Sequence, residues 1–131
     1  MKYPTELIDW QLLSQANSFY KNYGFIQVET PFAIPNYYHS FTKPHNNQSF
    51  VLDKDMFSNE PHELVGSAEQ GFIYLLLNDL ISNNKLQSIT PCFRFDDYDQ
   101  FHQPWFLKLE LFHLSENIDD LFDLISFQEI F

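Results

Sequence analysis

Pro91-Cys92-Phe93-Arg94-Phe95-Asp96 is followed by a polar run over residues 97–104, and then by Trp105-Phe106-Leu107-Lys108-Leu109-Glu110-Leu111-Phe112. Alternation with a period of two marks both flanking segments as β-strands, because successive side chains on a strand point to opposite faces. In the first, Arg94 shares a face with Cys92 and Asp96, while Phe93 and Phe95 face the other way. In the second, Phe106, Lys108, Glu110 and Phe112 share one face, opposite Trp105, Leu107, Leu109 and Leu111. The intervening polar run reads as a hairpin loop. The leucine face is expected to pack on helices, leaving a mixed charged and aromatic face open.

Working upstream, Ser67-Ala68-Glu69-Gln70 has the Ser-x-x-Gln spacing of a capping box and predicts a helix start. Phe72, Ile73, Leu75, Leu76, Leu77, Leu80 and Ile81 then surround most of its circumference, the pattern of a buried helix. Asn83-Asn84 reads as its end. Residues 35–61 hold Pro, Asn, His and Ser with one strand-like patch, Phe50-Val51-Leu52, and read as a long loop region. Before it, Phe25-Ile26-Gln27-Val28-Glu29-Thr30 is a short β-rich run closed by Pro31. A first helix, capped by Thr5, carries Ile8, Leu12, Ala16, Phe19 and Tyr23, with Gly24 as its stop. Downstream, a last helix starts near Ser115 or Asn117, with Asp119 and Asp120 favourable in its first turn.

These elements describe one α+β domain over residues 1–131, an antiparallel β-sheet flanked by helices. The 131 residues are 44% apolar, enough for a core. Fifteen Phe, seven Tyr and two Trp exceed what so small a chain can hide, so some aromatic surface is expected to meet a partner. Eighteen acidic against seven basic residues give a formal charge of −11, which disfavours direct nucleic-acid binding. Cys92 is the only cysteine, and residues 1–10 show no apolar signal core. No membrane association and a cytoplasmic location are therefore expected. The histidines, among them His39 and His102, lack metal-ligand spacing and read as scattered surface residues. Cys92 reads as a buried, inert thiol.

The open sheet face combines Arg94, Phe106, Lys108, Asp96 and Glu110. An arginine can clamp a phosphate or carboxylate, a flat aromatic can stack on a nucleobase, and carboxylates can receive amino groups or a divalent metal. The same residues also read as an ordinary cross-strand ion pair of Arg94 with Glu110.

The order of the residues resembles motif 2 of the class II aminoacyl-tRNA synthetases: Phe93-Arg94-Phe95-Asp96, a loop, then His102, Phe106 and Glu110 at four-residue steps. The helix before Gly24 and the run from Phe25 to Pro31 resemble motif 1, which forms the dimer in that family. Leu64-Val65-Gly66-Ser67-Ala68-Glu69-Gln70 is similar to the family segment that holds the substrate amino acid. The ordered set spans roughly residues 5–114. The resemblance implies a reduced class II synthetase catalytic-core fold. It implies a nucleotide site of Arg94, Asp96, His102, Phe106 and Glu110, with Glu110 also helping to hold the metal. It implies an amino-acid site of Ser67, Glu69, Gln70 and Arg94. ATP and Mg are the implied cofactors. A homodimer is implied through the motif 1-like helix and strand, with Phe25, Val28, Thr30 and Pro31 at the interface.

Two departures bear on function. Asp96 stands where the family has Glu. Motif 3, a glycine-rich strand and helix with a γ-phosphate-binding arginine, has no counterpart, since no glycine follows Gly71 and Arg94 is the only arginine. Cations fixed on the transferring phosphates supply a large share of such catalysis. The expectation is therefore a stand-alone paralogue with a partial ATP and amino-acid site that does not complete aminoacylation. The alternative is a non-catalytic interaction module, forming a homodimer or a mixed dimer with a full synthetase. Without motif 3 the sheet is expected to keep an uncovered edge, which a dimer or a loop must manage.

Overall fold

The computed structural model describes residues 4–42, 49–52, 60–95, 99 and 102–130. Asp96, His45 and most of the loop between the two long strands lie outside the described residues.

The first α-helix starts later than Thr5. Pro4–Leu7 form a 3-10 turn, and α1 spans Trp10–Lys21 with Asp9 as its cap. The Asp9 carboxylate accepts the Leu12 N–H at 2.9 Å, satisfying one of the donors that a helix start leaves open. Replacing Asp9 with alanine is expected to cost about 1 kcal/mol, read as a lower midpoint in urea denaturation. The stop at Gly24 is as expected: φ is +92°, a conformation natural to glycine, and its N–H donates to Lys21 O at 3.0 Å.

The main sheet has the order β1-β5-β6, from Ile26–Gln27 (β1), Lys85–Phe93 (β5) and Trp105–His113 (β6). β5 and β6 are antiparallel, with register running from Lys85 opposite His113 to Phe93 opposite Trp105. β1 is parallel to β5, with Ile26 beside Leu86, so the sheet is antiparallel only in its long pair.

A second small sheet, β2-β4-β3, uses Ala33–Pro35 (β2), Val51–Leu52 (β3) and His62–Leu64 (β4), all antiparallel. A short helix α2, Asn36–His39, follows β2. β3 falls on the strand-like patch Phe50-Val51-Leu52, while β2 and β4 flank the stretch that the sequence reads as loop. Strands of two or three residues are too short to display an alternating pattern, and β2 ends on a proline. His39 is not a surface residue: it is 3% exposed, with Nδ1 3.4 Å from the Glu63 carboxylate.

The third helix, α3, spans Ala68–Leu77 and opens at Ser67 as the capping box predicts. It ends at Asn78, before a left-handed Asp79 at φ +54°, so Leu80 and Ile81 lie beyond it. Only its first half is buried, and Leu77 is exposed. The last helix, α4, spans Ile118–Ile130 with Asp119 and Asp120 in its first turn.

Two clusters hold the layers. Leu109 and Leu111 of β6 pack with Ala16, Tyr20 and Phe25, joined by Leu124 and Phe127 of α4, so the leucine face does sit on helices. On the opposite face, Ala68, Phe72 and Leu86 pack with Val28, Ile81 and Phe112, and the Phe72 and Phe112 rings stack at 5.0 Å. Between α3 and the sheet lies a buried hydroxyl triad. Thr30 Oγ1 is 2.9 Å from Ser88 Oγ and 2.6 Å from Thr90 Oγ1. Gly71 of α3 sits directly on this triad: a Cβ there would come within 2.7 Å of Thr30 Cβ. Among the described residues, no helix is long and apolar enough to cross a membrane.

Candidate functional site

The alternation of β5 places Ser88, Thr90 and Cys92 on the face that also carries Phe106, Lys108 and Glu110 of β6. Arg94 follows one pleat beyond Cys92. Its N–H donates to Pro104 O at 2.9 Å, extending the hairpin ladder past the end of β5. The guanidinium Nη1 donates to Gly66 O, and Cζ lies 5.3 Å from the centre of the Phe106 ring. This contact needs a glycine at position 66, since a Cβ would come within 2.8 Å of Nη1.

The start of α3 forms the other wall. Gln70 Oε1 accepts the N–H groups of Gly66 at 2.7 Å and of Ser67 at 3.3 Å, which holds the turn in place. The same segment is tied to β5 by Phe93 N–H donating to Val65 O at 2.9 Å. Glu110 reaches across to this helix end, where one oxygen accepts the Ala68 N–H. Its other oxygen lies 3.2 Å from Lys108 Nζ. A carboxylate at a helix N-terminus is favoured both by the open N–H and by the helix dipole. Cys92 lies beneath, without accessible surface. Burial pushes its thiol up to about 11; Glu110 adds to the rise, and Arg94 and Lys108 oppose it. The thiol is inert by physics as well as by position.

The structure therefore brings together Arg94, Phe106, Glu110, Ser67 and Gln70. The simple Arg94–Glu110 ion pair does not form, because Arg94 lies opposite Pro104 while Glu110 lies opposite Ser88. His102 is exposed and bound to Asp99, with Nδ1 to Oδ1 at 2.9 Å and its N–H on the same carboxylate at 2.8 Å. Glu69 is exposed. Gly66 is a site residue that the sequence reading used only as part of a segment; a glycine just before a capping box was the available signal. Of the residues expected at a dimer interface, Phe25 is 1% and Thr30 4% exposed, both held within the chain's own core. Val28 and Pro31 remain partly accessible.

Glu110 does not fit a magnesium site by itself. Both its oxygens have partners, and among the described residues no three His, Cys, Asp or Glu side chains gather to hold a metal.

No family model matches the chain. In sequence it is 29% identical over 117 residues to a lysine–tRNA ligase of Saccharolobus solfataricus, an alignment covering 89% of this chain and 22% of that protein. In structure it is similar to pyrrolysyl-tRNA synthetase from Desulfitobacterium hafniense, with a TM-score of 0.67, 20% identity, and coverage of 89% of this chain and 44% of that one. The cytoplasmic serine-tRNA ligase from Naegleria fowleri, solved in complex with AMP, gives a TM-score of 0.67 at 16% identity, covering 91% of this chain and 31% of that one. The chain thus spans less than half the length of each of these proteins. It carries the catalytic-domain fold of the class II aminoacyl-tRNA synthetases and is similar in sequence to a part of one of them.

Proposed function

We propose that this chain binds an adenylate-type ligand, an adenine nucleotide joined to or beside an amino acid, without completing aminoacylation. The observation that carries this reading is the convergence of the Arg94 guanidinium, the Phe106 ring and the Gly66–Gln70 turn on one sheet face. In this reading Arg94 leaves the neutral Gly66 carbonyl for the α-phosphate or the carboxylate, since charge-assisted hydrogen bonds are about twice as strong as neutral ones. Phe106 stacks on adenine. Ser67, Glu69 and Gln70 lie near the amino-acid ammonium group, and His102 approaches from the loop. Any Mg arrives on the nucleotide's own phosphates.

The charge balance makes the reading specific. With a net charge of −11 and Arg94 the only arginine, the chain's overall field opposes a triphosphate tail. A sulfamoyl adenylate analogue, which lacks that tail, is expected to bind at least about tenfold tighter than ATP. Isothermal titration with ATP, AMP and a panel of such analogues tests this. Heat from the analogues above that from ATP supports the proposal; no binding of any of them removes it.

A second reading makes the chain a protein-interaction module that pairs through α1 and β1, with itself or with a full synthetase. It is favoured by Trp10, 64% exposed, and by a groove of about 500 Å³ that Trp10 lines with Phe32, Pro91, Phe93 and Trp105. Cross-linking in lysate that captures no synthetase, with a wild-type mass unchanged by Ile26→Asp, counts against it.

A further inference from the structure

The resemblance gives Glu110 a part in holding ATP or its metal, but its carboxylate is already engaged inside the chain. One oxygen accepts the Ala68 N–H across 42 positions of sequence, and the other lies 3.2 Å from Lys108 Nζ. These two contacts differ in weight. The Lys108 side chain is 47% exposed, and an ion pair open to water contributes little. The Glu110 side chain is only 15% exposed and meets a backbone donor at the positive end of a ten-residue helix. A carboxylate there is held both by the hydrogen bond and by the helix dipole. Gln70 Oε1 serves the N–H groups of Gly66 and Ser67 from within α3, and Ala68, next in line, is served from β6.

The turn that enters α3 is thereby pinned to the sheet at three successive points. Val65 O accepts the Phe93 N–H at 2.9 Å, Gly66 O accepts Arg94 Nη1, and the Ala68 N–H donates to Glu110. In the function proposed above, the ligand takes Arg94 and so removes the middle pin. The outer two then decide whether Ser67 and Gln70 stay where an amino acid meets them. The Val65 pin joins backbone to backbone, so Glu110 is the side chain on which the turn depends once Arg94 has left.

We infer that Glu110 is a positioning residue: it fixes the start of α3 over the sheet, as a cap supplied by β6, and touches neither a metal nor the ligand's ammonium group. Its effect on binding rests on the adenylate reading; the cap itself does not. Capping needs reach and an acceptor oxygen rather than charge. Glutamine keeps both, whereas aspartate keeps the charge and draws the acceptor back by one carbon–carbon bond. A metal or an ammonium group would rank the two the other way, since each calls for the negative charge.

The test compares Glu110→Ala, Glu110→Gln and Glu110→Asp with wild type, with circular dichroism to confirm that each folds. Two readouts are taken: residue-resolved amide exchange without ligand, and titration with a sulfamoyl adenylate analogue in Mg and in EDTA. The Ala68 N–H should exchange at least about tenfold faster in the alanine and aspartate variants and stay slow in the glutamine variant. Analogue affinity should fall about tenfold in Glu110→Ala and Glu110→Asp, and less than about threefold in Glu110→Gln. EDTA should leave wild-type affinity unchanged, because the analogue has no phosphate tail to carry Mg. An aspartate variant that binds better than the glutamine variant, or a wild type that requires Mg, overturns the inference. Ala68 exchange unchanged in Glu110→Ala overturns it too. If the alanine variant does not fold, the glutamine and aspartate variants carry the same decision. If no analogue binds even wild type, the adenylate reading fails by itself, and the Ala68 exchange pattern still decides whether Glu110 is the cap.

Discussion

Replacing Arg94 with alanine should weaken adenylate-analogue binding by about 100-fold or more and leave the fold in place. Each hydrogen bond to a charged group is worth roughly 1.5–3 kcal/mol, so loss of a two-pronged clamp amounts to about 3–6 kcal/mol. Within the unliganded chain the same guanidinium makes a bond to the Gly66 carbonyl and a contact with the Phe106 ring, beyond the end of β5. Loss of these two contacts should lower stability by roughly 2–4 kcal/mol. Arg94→Lys is the control that separates charge from geometry. It keeps the cation but not the planar fork, and should recover only part of the affinity. Gly66→Ala probes the same group from the other side, because the added methyl enters the space that Nη1 occupies. Titration of the three variants beside wild type, with circular dichroism on each, checks the set. Wild-type affinity in Arg94→Ala would remove Arg94 from the site and the proposed function with it.

Gly71→Ala should destabilise the chain by about 1–2 kcal/mol net, against the direction that helix propensity alone predicts. In an unconstrained helix interior the change gains about 1 kcal/mol. Here the new Cβ would approach Thr30 Cβ to 2.7 Å, and further Thr30 side-chain atoms lie at 3.3 and 3.4 Å. Thr30 cannot swing aside, because its hydroxyl is bonded to Ser88 and Thr90 in a buried position. Either α3 moves off the sheet or the hydroxyl triad opens, and overpacking of this kind typically costs about 1–3 kcal/mol. Urea denaturation of Gly71→Ala, Thr30→Gly and the double variant measures it. The double variant should be more stable than the two single losses added together, since the clash is gone. A Gly71→Ala chain more stable than wild type would refute the close contact.

Where the sequence carries a repeating pattern, the fold was legible. Alternation over residues 105–112 placed Leu109 and Leu111 against the helices, and the Ser67–Gln70 spacing found the start of α3. Patterns that depend on other parts of the chain were not legible. β2 and β4 of the small sheet are stabilised by their pairing and show no periodicity of their own, whereas the patch Phe50-Val51-Leu52 did mark β3. α3 stops at Asn78 although apolar residues continue to Ile81, because Asp79 turns left-handed there. Asp9 rather than Thr5 caps α1, a choice between two competent residues that local sequence does not decide.

At the site, alternation put Arg94, Phe106 and Glu110 on one face but could not name their partners. Glu110 is held by Ala68 and Lys108, and Arg94 by Gly66, through contacts spanning 42 and 28 positions for the backbone bonds. Phe25 and Thr30 illustrate the converse. They fit the motif 1-like pattern, yet the packing of α1 and α3 encloses both.

Cys92 offers a gauge of how often the sheet opens. It is the chain's one thiol, sits on β5 without accessible surface, and has a thiol raised to about 11. Near neutral pH an alkylating reagent can therefore capture it only during excursions that pull β5 from its neighbours and return the thiol to about 8.5. Each molecule registers its first such excursion as a permanent mass increment. The labelling half-life then tracks the free energy of opening in a crude lysate, and destabilised variants such as Gly71→Ala should shorten it without any purification.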